Sequence, residues 1–189
     1  MTIPPAPRLT PDRMSDDQRV LYDLITAGPR ASGPFALTDA SGALNGPFNA
    51  MLLMPGLGTA LQELGQAIRY RGSLDDRCRE IAILCVARVW DSAFERYAHE
   101  AVGARIGLTE DELQALRDGV LTPFAGHELA VAKFASMVAT RRDLNPDELN
   151  DAFAALGAET VFELTTLVGY YATLALQLKV FGDEVPDQP

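Results

Sequence analysis

Apolar residues recur along this chain three and four apart, and the polar residues between those runs fall where helix caps would stand. Ser15 followed by Gln18, Ser73 by Asp76, Ser92 by Glu95 and Thr109 by Glu112 all have the spacing of an N-cap and its reciprocal partner, or a close variant. "NPDEL" sets Asn145 at an N-cap with Pro146 at the first helical position. The pattern predicts helices over 15–27, 47–54, 56–71, 74–89, 92–106, 109–118, 126–141, 146–156 and 159–181. No convincing period-two alternation bounded by turns interrupts them, so the fold class is all-α. Residues 1–14, with four prolines, read as an extended arm suited to lying on a partner. Residues 28–46, "GPRASGPFALTDASGALNG", form a connection long enough to be a functional loop or a mobile arm.

Two helices are apolar on nearly every side. "REIAILCVARVW" runs from Ile81 to Ala87 without a polar residue, and "TVFELTTLVGYYATLALQLKVF" is similar. Such a helix belongs at the centre of a fold or in a subunit interface, and two of them in so short a chain predict a homo-oligomer.

The length of 189 residues suits one domain, 1–189, with its helical core over 47–181. A net charge of −10 argues against a nucleic-acid partner and against an anionic substrate unless arginines gather locally. They do: "RYRGSLDDRCRE" carries Arg69, Arg71, Arg77 and Arg79, and Arg88 follows, although local ion pairs explain such a cluster equally well. The N-terminus lacks a secretory pattern, and no run approaches the ~18 to 20 apolar residues of a membrane span, so no membrane association and a cytoplasmic location are expected.

Cys78 and Cys85 stand seven apart, about 10.5 Å of rise on one helix, too far for a disulfide. With His127 as the other histidine besides His99, no zinc set is apparent and no metal is expected. Both cysteines read as buried apolar side chains.

The candidate chemistry lies in "VWDSAFERYAHE", residues 89–100, where Glu95 precedes His99 by one helical turn. Ser92, Glu95, His99, Val102 and Ile106 fall on one stripe that runs into apolar residues and so faces inward, while Arg96 and Glu100 lie elsewhere as an exposed pair. A capping box of Ser92 and Glu95 would account for both without chemistry, and His99 would then be a satisfied core histidine. Alternatively, carboxylate and imidazole in a poorly solvated pocket suit proton transfer near neutral pH. Glu80, at the head of the most apolar helix, either favours the helix dipole from the surface or faces the interior with a partner.

The stretch from "GPFNAMLLMPGLG" through "REIAILCVARVWDSAFERYAHEAVGARIGLTEDEL" to "FELTTLVGYYATLALQL", about residues 46–181, resembles the carboxymuconolactone decarboxylase and alkylhydroperoxidase D-like superfamily. The resemblance implies a compact helical fold assembled as a homo-oligomer, whether dimer, trimer or hexamer. Peroxidase members place a Cys-x-x-Cys pair twelve residues after a glutamate, with a histidine four beyond the second cysteine. Here the glutamate is Glu80, the histidine is His99, and Ser92 and Glu95 stand at the cysteine positions. Without a thiolate there, thiol peroxidase chemistry is not expected. The decarboxylase side of the superfamily, which needs no cofactor, fits better. The resemblance implies a lyase, or a related isomerase, acting on a small organic acid or lactone. Glu80, Glu95 and His99 are its candidate catalytic residues, and Ser92, Arg88 and Trp90 its candidate substrate contacts. Arg88 or Arg96 would hold a carboxylate, and Trp90 with Phe94 an apolar wall. The alternative is a non-catalytic helical oligomer that binds a small molecule or acts as a scaffold.

Overall fold

The computed structural model describes residues 7–29, 33–141, 144–181 and 185. Among the described residues eight α-helices follow one another: α1 Asp16–Thr26, α2 Pro47–Met51, α3 Pro55–Tyr70, α4 Asp76–Val89, α5 Ala93–Arg105, α6 Glu110–Asp118, α7 Gly126–Thr140 and α8 Pro146–Phe181. A single 3-10 turn at Pro11–Arg13 precedes them, and among the described residues extended pairing is limited to an isolated bridge between Thr38 and Leu44. The two predicted helices 146–156 and 159–181 are continuous except at Gly157, whose φ of 76° breaks the helical path.

The cap signals are realised unevenly. Ser15 with Gln18 and Thr109 with Glu112 form complete capping boxes, and Asn145 accepts the Asp147 amide at 2.9 Å. Ser73 does not cap α4. Its amide and hydroxyl donate instead to Glu163 of α8, at 2.8 and 2.7 Å, while Asp75 caps the helix by accepting from the Cys78 amide at 2.8 Å. The turn between α3 and α4 is thereby fastened to α8.

Helix α4 is the centre. Every residue from Cys78 to Ala87 is buried, and the helix packs against α5, α6, α7 and α8. Removing that much apolar side chain from water is the main stabilising term of the fold. Helix α8 buries Leu164, Leu167, Val168, Tyr171, Leu174 and Leu178, while Phe162, Leu176 and Val180 on its other side are exposed. By length and composition α8 is apolar enough to cross a membrane, contrary to the expectation from uninterrupted apolar runs, because its leucines, valines and alanines raise the mean hydropathy while the threonines, glycine and tyrosines that interrupt them carry no charge. Its inner face packs against α4 and α7.

The N-terminal segment, from Pro7 onward, lies on its own chain. Asn49 accepts from the Leu9 amide at 3.1 Å and donates to the Pro7 carbonyl at 3.0 Å, and Arg8 pairs with Asp39 at 2.6 Å. Asp39 organises the long connection by accepting from Ser41 and from the Ala43 amide. Burial opposes its ionisation, but these hydrogen bonds and Arg8 win and hold the carboxyl down at about 2. The connection thus has its own scaffold, which turns Pro34, Phe35 and Pro47 toward the face where α5 and α8 meet.

Candidate functional site

A tight reversal places α5 beside α4. The Ser92 amide donates to the Ala87 carbonyl at 2.9 Å, and Asp91 adopts a φ of 48°, a left-handed conformation that aspartate tolerates better than most side chains. The return path brings the inward stripe of α5 against the N-terminal half of α4. Glu95, His99, Val102 and Ile106 all line one cavity of about 370 Å³, together with Glu80 of α4. Its apolar walls come from Phe35, Phe48, Phe94, Ala98 and Leu174, and Tyr170 and Tyr171 of α8 close one side.

Glu80 and His99 form the centre of the polar network. The Glu80 carboxylate is 1% exposed, and its Oε2 lies 2.6 Å from Nδ1 of His99. Its other oxygen, Oε1, is 3.2 Å from Nη2 of Arg69, an ion pair whose angles fall outside hydrogen-bond geometry. Burial alone would raise the Glu80 pKa, but His99, Arg69 and Arg79 outweigh it and hold the carboxyl below its usual range. Tyr171 belongs to the same network: its hydroxyl accepts from Arg69, and its ring stands edge-on to the His99 ring at 5.1 Å and 87°. Arg69 is in turn held charged, because Glu80 and the tyrosines outweigh its burial.

Glu95 is as deeply buried as Glu80 but differs from it in its partners. It is 2% exposed, and neither carboxyl oxygen has a hydrogen-bond partner in the protein. Burial pushes its pKa well above the usual carboxylate range and so favours the neutral acid. The capping box that would have explained it is absent: Ser92 occupies the N-cap position of α5, but its hydroxyl bonds neither the helix nor Glu95. The cavity therefore holds two carboxyl groups shifted in opposite directions, one clamped toward its ionised form and the other pushed toward the neutral acid.

The three candidate substrate contacts lie elsewhere. Arg88 points to the end of α6, where a Cβ on Gly119 would come within 2.8 Å of its Cζ. Trp90 packs against the main core, with its indole N–H buried and unpartnered, and Ser92 is buried outside the cavity lining. Arg88 lies in the last turn of α4 and Trp90 and Ser92 follow it, at the end of the helix away from Asp76, Arg79 and Glu80, which line the cavity. Arg96 is likewise diverted, pairing with Asp91 at 2.9 Å, and Glu100 pairs with Arg117 at 2.8 Å rather than with Arg96. Phe94 does form part of the apolar wall.

Arginines that sequence reasoning left unassigned line the cavity instead. Arg69, Arg79 and Arg105 stand against Asp76, Glu80 and a Glu95 that burial favours in its neutral form, so a chain of net charge −10 encloses a cavity whose lining is not dominated by negative charge. Arg79 is 7% exposed and is held by the Leu74 carbonyl and by Asp76, with its Nε lacking a partner. Arg77, from the same cluster, does structural work outside, joining Glu112 and Glu128 at 2.8 Å each. Among the described residues no group of three or more His, Cys, Asp or Glu is placed to hold a metal ion.

The cysteines are remote from this chemistry. Both are free and buried, burial pushes the Cys78 thiol up to about 12, and burial raises Cys85 as well.

Residues 55–137, which span α3 to α7 and contain Glu80, Glu95 and His99, match the carboxymuconolactone decarboxylase family. No curated protein matches the chain in sequence. Among solved structures, a cysteine-to-alanine variant of the debrominase Bmp8 in complex with 2,3,4-tribromopyrrole superposes with a TM-score of 0.73 at 12% identity, covering 98% of this chain and 92% of that one. The apo debrominase gives 0.72 at 11% identity, over 95% and 90%. A protein of unknown function from Agrobacterium tumefaciens, suggested to be the antioxidant defence protein AhpD, gives 0.68 at 17% identity, over 74% and 97%. At such identities the likeness is one of fold. Over residues 55–137 the chain is thus similar to the carboxymuconolactone decarboxylase family, and its fold is that of the debrominase and of the AhpD-like protein.

Proposed function

We propose that this chain is a cofactor-independent enzyme that transfers protons on a small organic acid or lactone, by decarboxylation or by a related isomerisation or cyclisation. The observation that carries the reading is Glu95, a buried carboxyl without a protein partner, in the same cavity as the Glu80–His99 pair. A buried neutral acid costs stability and serves no packing purpose that a leucine would not serve better.

In the decarboxylation the bond between carbon and the leaving carboxylate breaks. Its electron pair enters the conjugated carbonyl to give an enolate, and carbon dioxide departs. Glu95 then delivers its proton to the enolate carbon and is left as carboxylate. His99, with Nδ1 bonded to Glu80, exchanges a proton through Nε2 and restores the acid. The positive side of the cavity, Arg79 and Arg105, suits the developing enolate oxygen or a retained carboxylate. The leaving carboxylate belongs against the apolar wall, where losing its charge is favourable.

The absence of thiols from the cavity supports this reading over thiol peroxidase chemistry. The exposed Phe162, Leu176 and Val180 on α8 support a homo-oligomer.

The test is a panel of lactone carboxylic acids incubated with the wild-type protein and with Glu95→Gln, in D2O. Carbon dioxide release accompanied by deuterium at the former carboxyl carbon, lost in the variant, is the expected result. Binding of the panel without any turnover, unaffected by His99→Ala, would instead make the protein a small-molecule binder or scaffold.

A further inference from the structure

We propose that Arg69 and Tyr171 are positioning residues that set the protonation of the Glu80–His99 pair. The inference rests on reading that pair as the proton relay, and it concerns residues from two helices, α3 and α8, that contribute nothing else to the relay. Arg69 spans the gap between them. It lies 3.2 Å from Glu80 Oε1 and bonds Tyr171, whose ring stands edge-on to His99 at 5.1 Å. Glu80 is thus held from both sides, by Arg69 on one oxygen and by His99 on the other.

The consequence for the proton is a matter of charge. Glu80 and His99 together are neutral when they share one proton and carry one negative charge when it leaves, whichever of them held it. A guanidinium in contact with Glu80 stabilises the negative form, so Arg69 makes the pair release its proton at lower pH. The other groups around His99 do not substitute for it. On α4, Arg79 acts on Glu80 through its charge alone, its guanidinium being engaged by Asp76, and on α5 burial favours the neutral form of Glu95 and Arg105 is exposed to solvent. On α3 the neighbouring Tyr70 is half exposed, and on α8 Tyr170 stacks edge-on to Tyr171 at 5.2 Å. Arg69 alone among them touches the carboxylate that holds His99.

The chain contains two histidines, so imidazole resonances followed by NMR over pH resolve His99 from His127 once His127→Asn assigns them. In Arg69→Gln the titration of His99 is expected to move upward by about one pH unit or more, and Arg69→Lys is expected to restore it toward the wild-type value. Tyr171→Phe, which removes the bond to Arg69 but keeps the ring edge, is expected to move it in the same direction by less. A folded Arg69→Gln whose His99 titrates as in the wild type would overturn the proposal. Should Arg69→Gln fail to fold, Tyr171→Phe decides: an upward shift supports the proposal and an unchanged titration overturns it. The readout needs no substrate, so it stands apart from the fate of the proposed reaction: loss of the decarboxylation reading leaves the titration result intact.

Discussion

Nδ1 of His99 and Oε2 of Glu80 lie 2.6 Å apart although 19 residues separate them in the chain. The contact exists because α4 and α5 reverse within a few residues at Asp91, so that the first turn of one helix meets the second turn of the next. Helix α4 has to be central for this to work. Its apolar sides bury Glu80 deeply enough that the carboxylate depends on His99 and Arg69 for its charge.

Replacing His99 by Ala removes the imidazole but leaves Arg69 against Glu80, so the buried carboxylate keeps one partner. Turnover of the true substrate is expected to fall by about 10²- to 10⁴-fold, while unfolding free energy drops by only about 1–3 kcal/mol. Steady-state kinetics beside chemical denaturation check this. A collapse of the fold with no separable kinetic effect would show that His99 is structural.

The two carboxyl groups predict opposite stability limbs. Glu80 sits below its ordinary value of 4.5 in the fold, so its stabilisation is complete above that value and is lost as pH falls through the folded pKa. Glu95 sits above 4.5, so its favourable neutral form stabilises the fold fully below that value, and the contribution is lost as pH rises toward the folded pKa. Thermal unfolding measured across pH should therefore show Glu95→Gln gaining stability over the wild type progressively on the alkaline side, whereas Glu80→Gln flattens the acid side. A wild-type minus Glu95→Gln difference that does not change with pH would mean that Glu95 is ionised in the fold.

Much of the fold was readable because capping and periodicity are local. Every α-helix was anticipated within a few residues, including the interruption that Gly157 makes in α8. Periodicity on α5 likewise separated the inward stripe of Glu95 and His99 from Arg96 and Glu100. What local pattern does not carry is the angle at which α4 leaves its neighbours. Arg88, Trp90 and Ser92 were adjacent in sequence to the site but lie past the turn that points away from it. Arg69, Arg79, Arg105 and Tyr171 converge from four helices, and only the arginine concentration around the start of α4 signalled any of them.

The buried thiols predict inertness. With Cys78 pushed up to about 12 and Cys85 also raised, thiolate is scarce near neutral pH. A disulfide reagent should label the folded protein only at the rate of unfolding, and Cys78→Ala and Cys85→Ala should leave kcat unchanged while each lowers stability by about 1 kcal/mol. Rapid labelling coupled to loss of turnover would place a reactive thiol in the chemistry.

Gly46 predicts a link between the long connection and the cavity wall. It has a φ of 64°, and a Cβ there would come within 2.3 Å of the Phe94 ring, which lines the cavity and meets Phe35 edge-on at 6.3 Å. Gly46→Ala should therefore lower stability by about 1–3 kcal/mol, part from the left-handed backbone and part from the collision. Because Phe94 must move, KM should rise more than kcat falls. Phe94→Leu removes the atoms the new methyl would strike, so the double variant should be less destabilised than the sum of the single changes, a coupling of about 0.5–3 kcal/mol. Strict additivity in denaturation experiments would show that backbone strain alone makes glycine necessary here, and that Phe94 is not held in place by the connection.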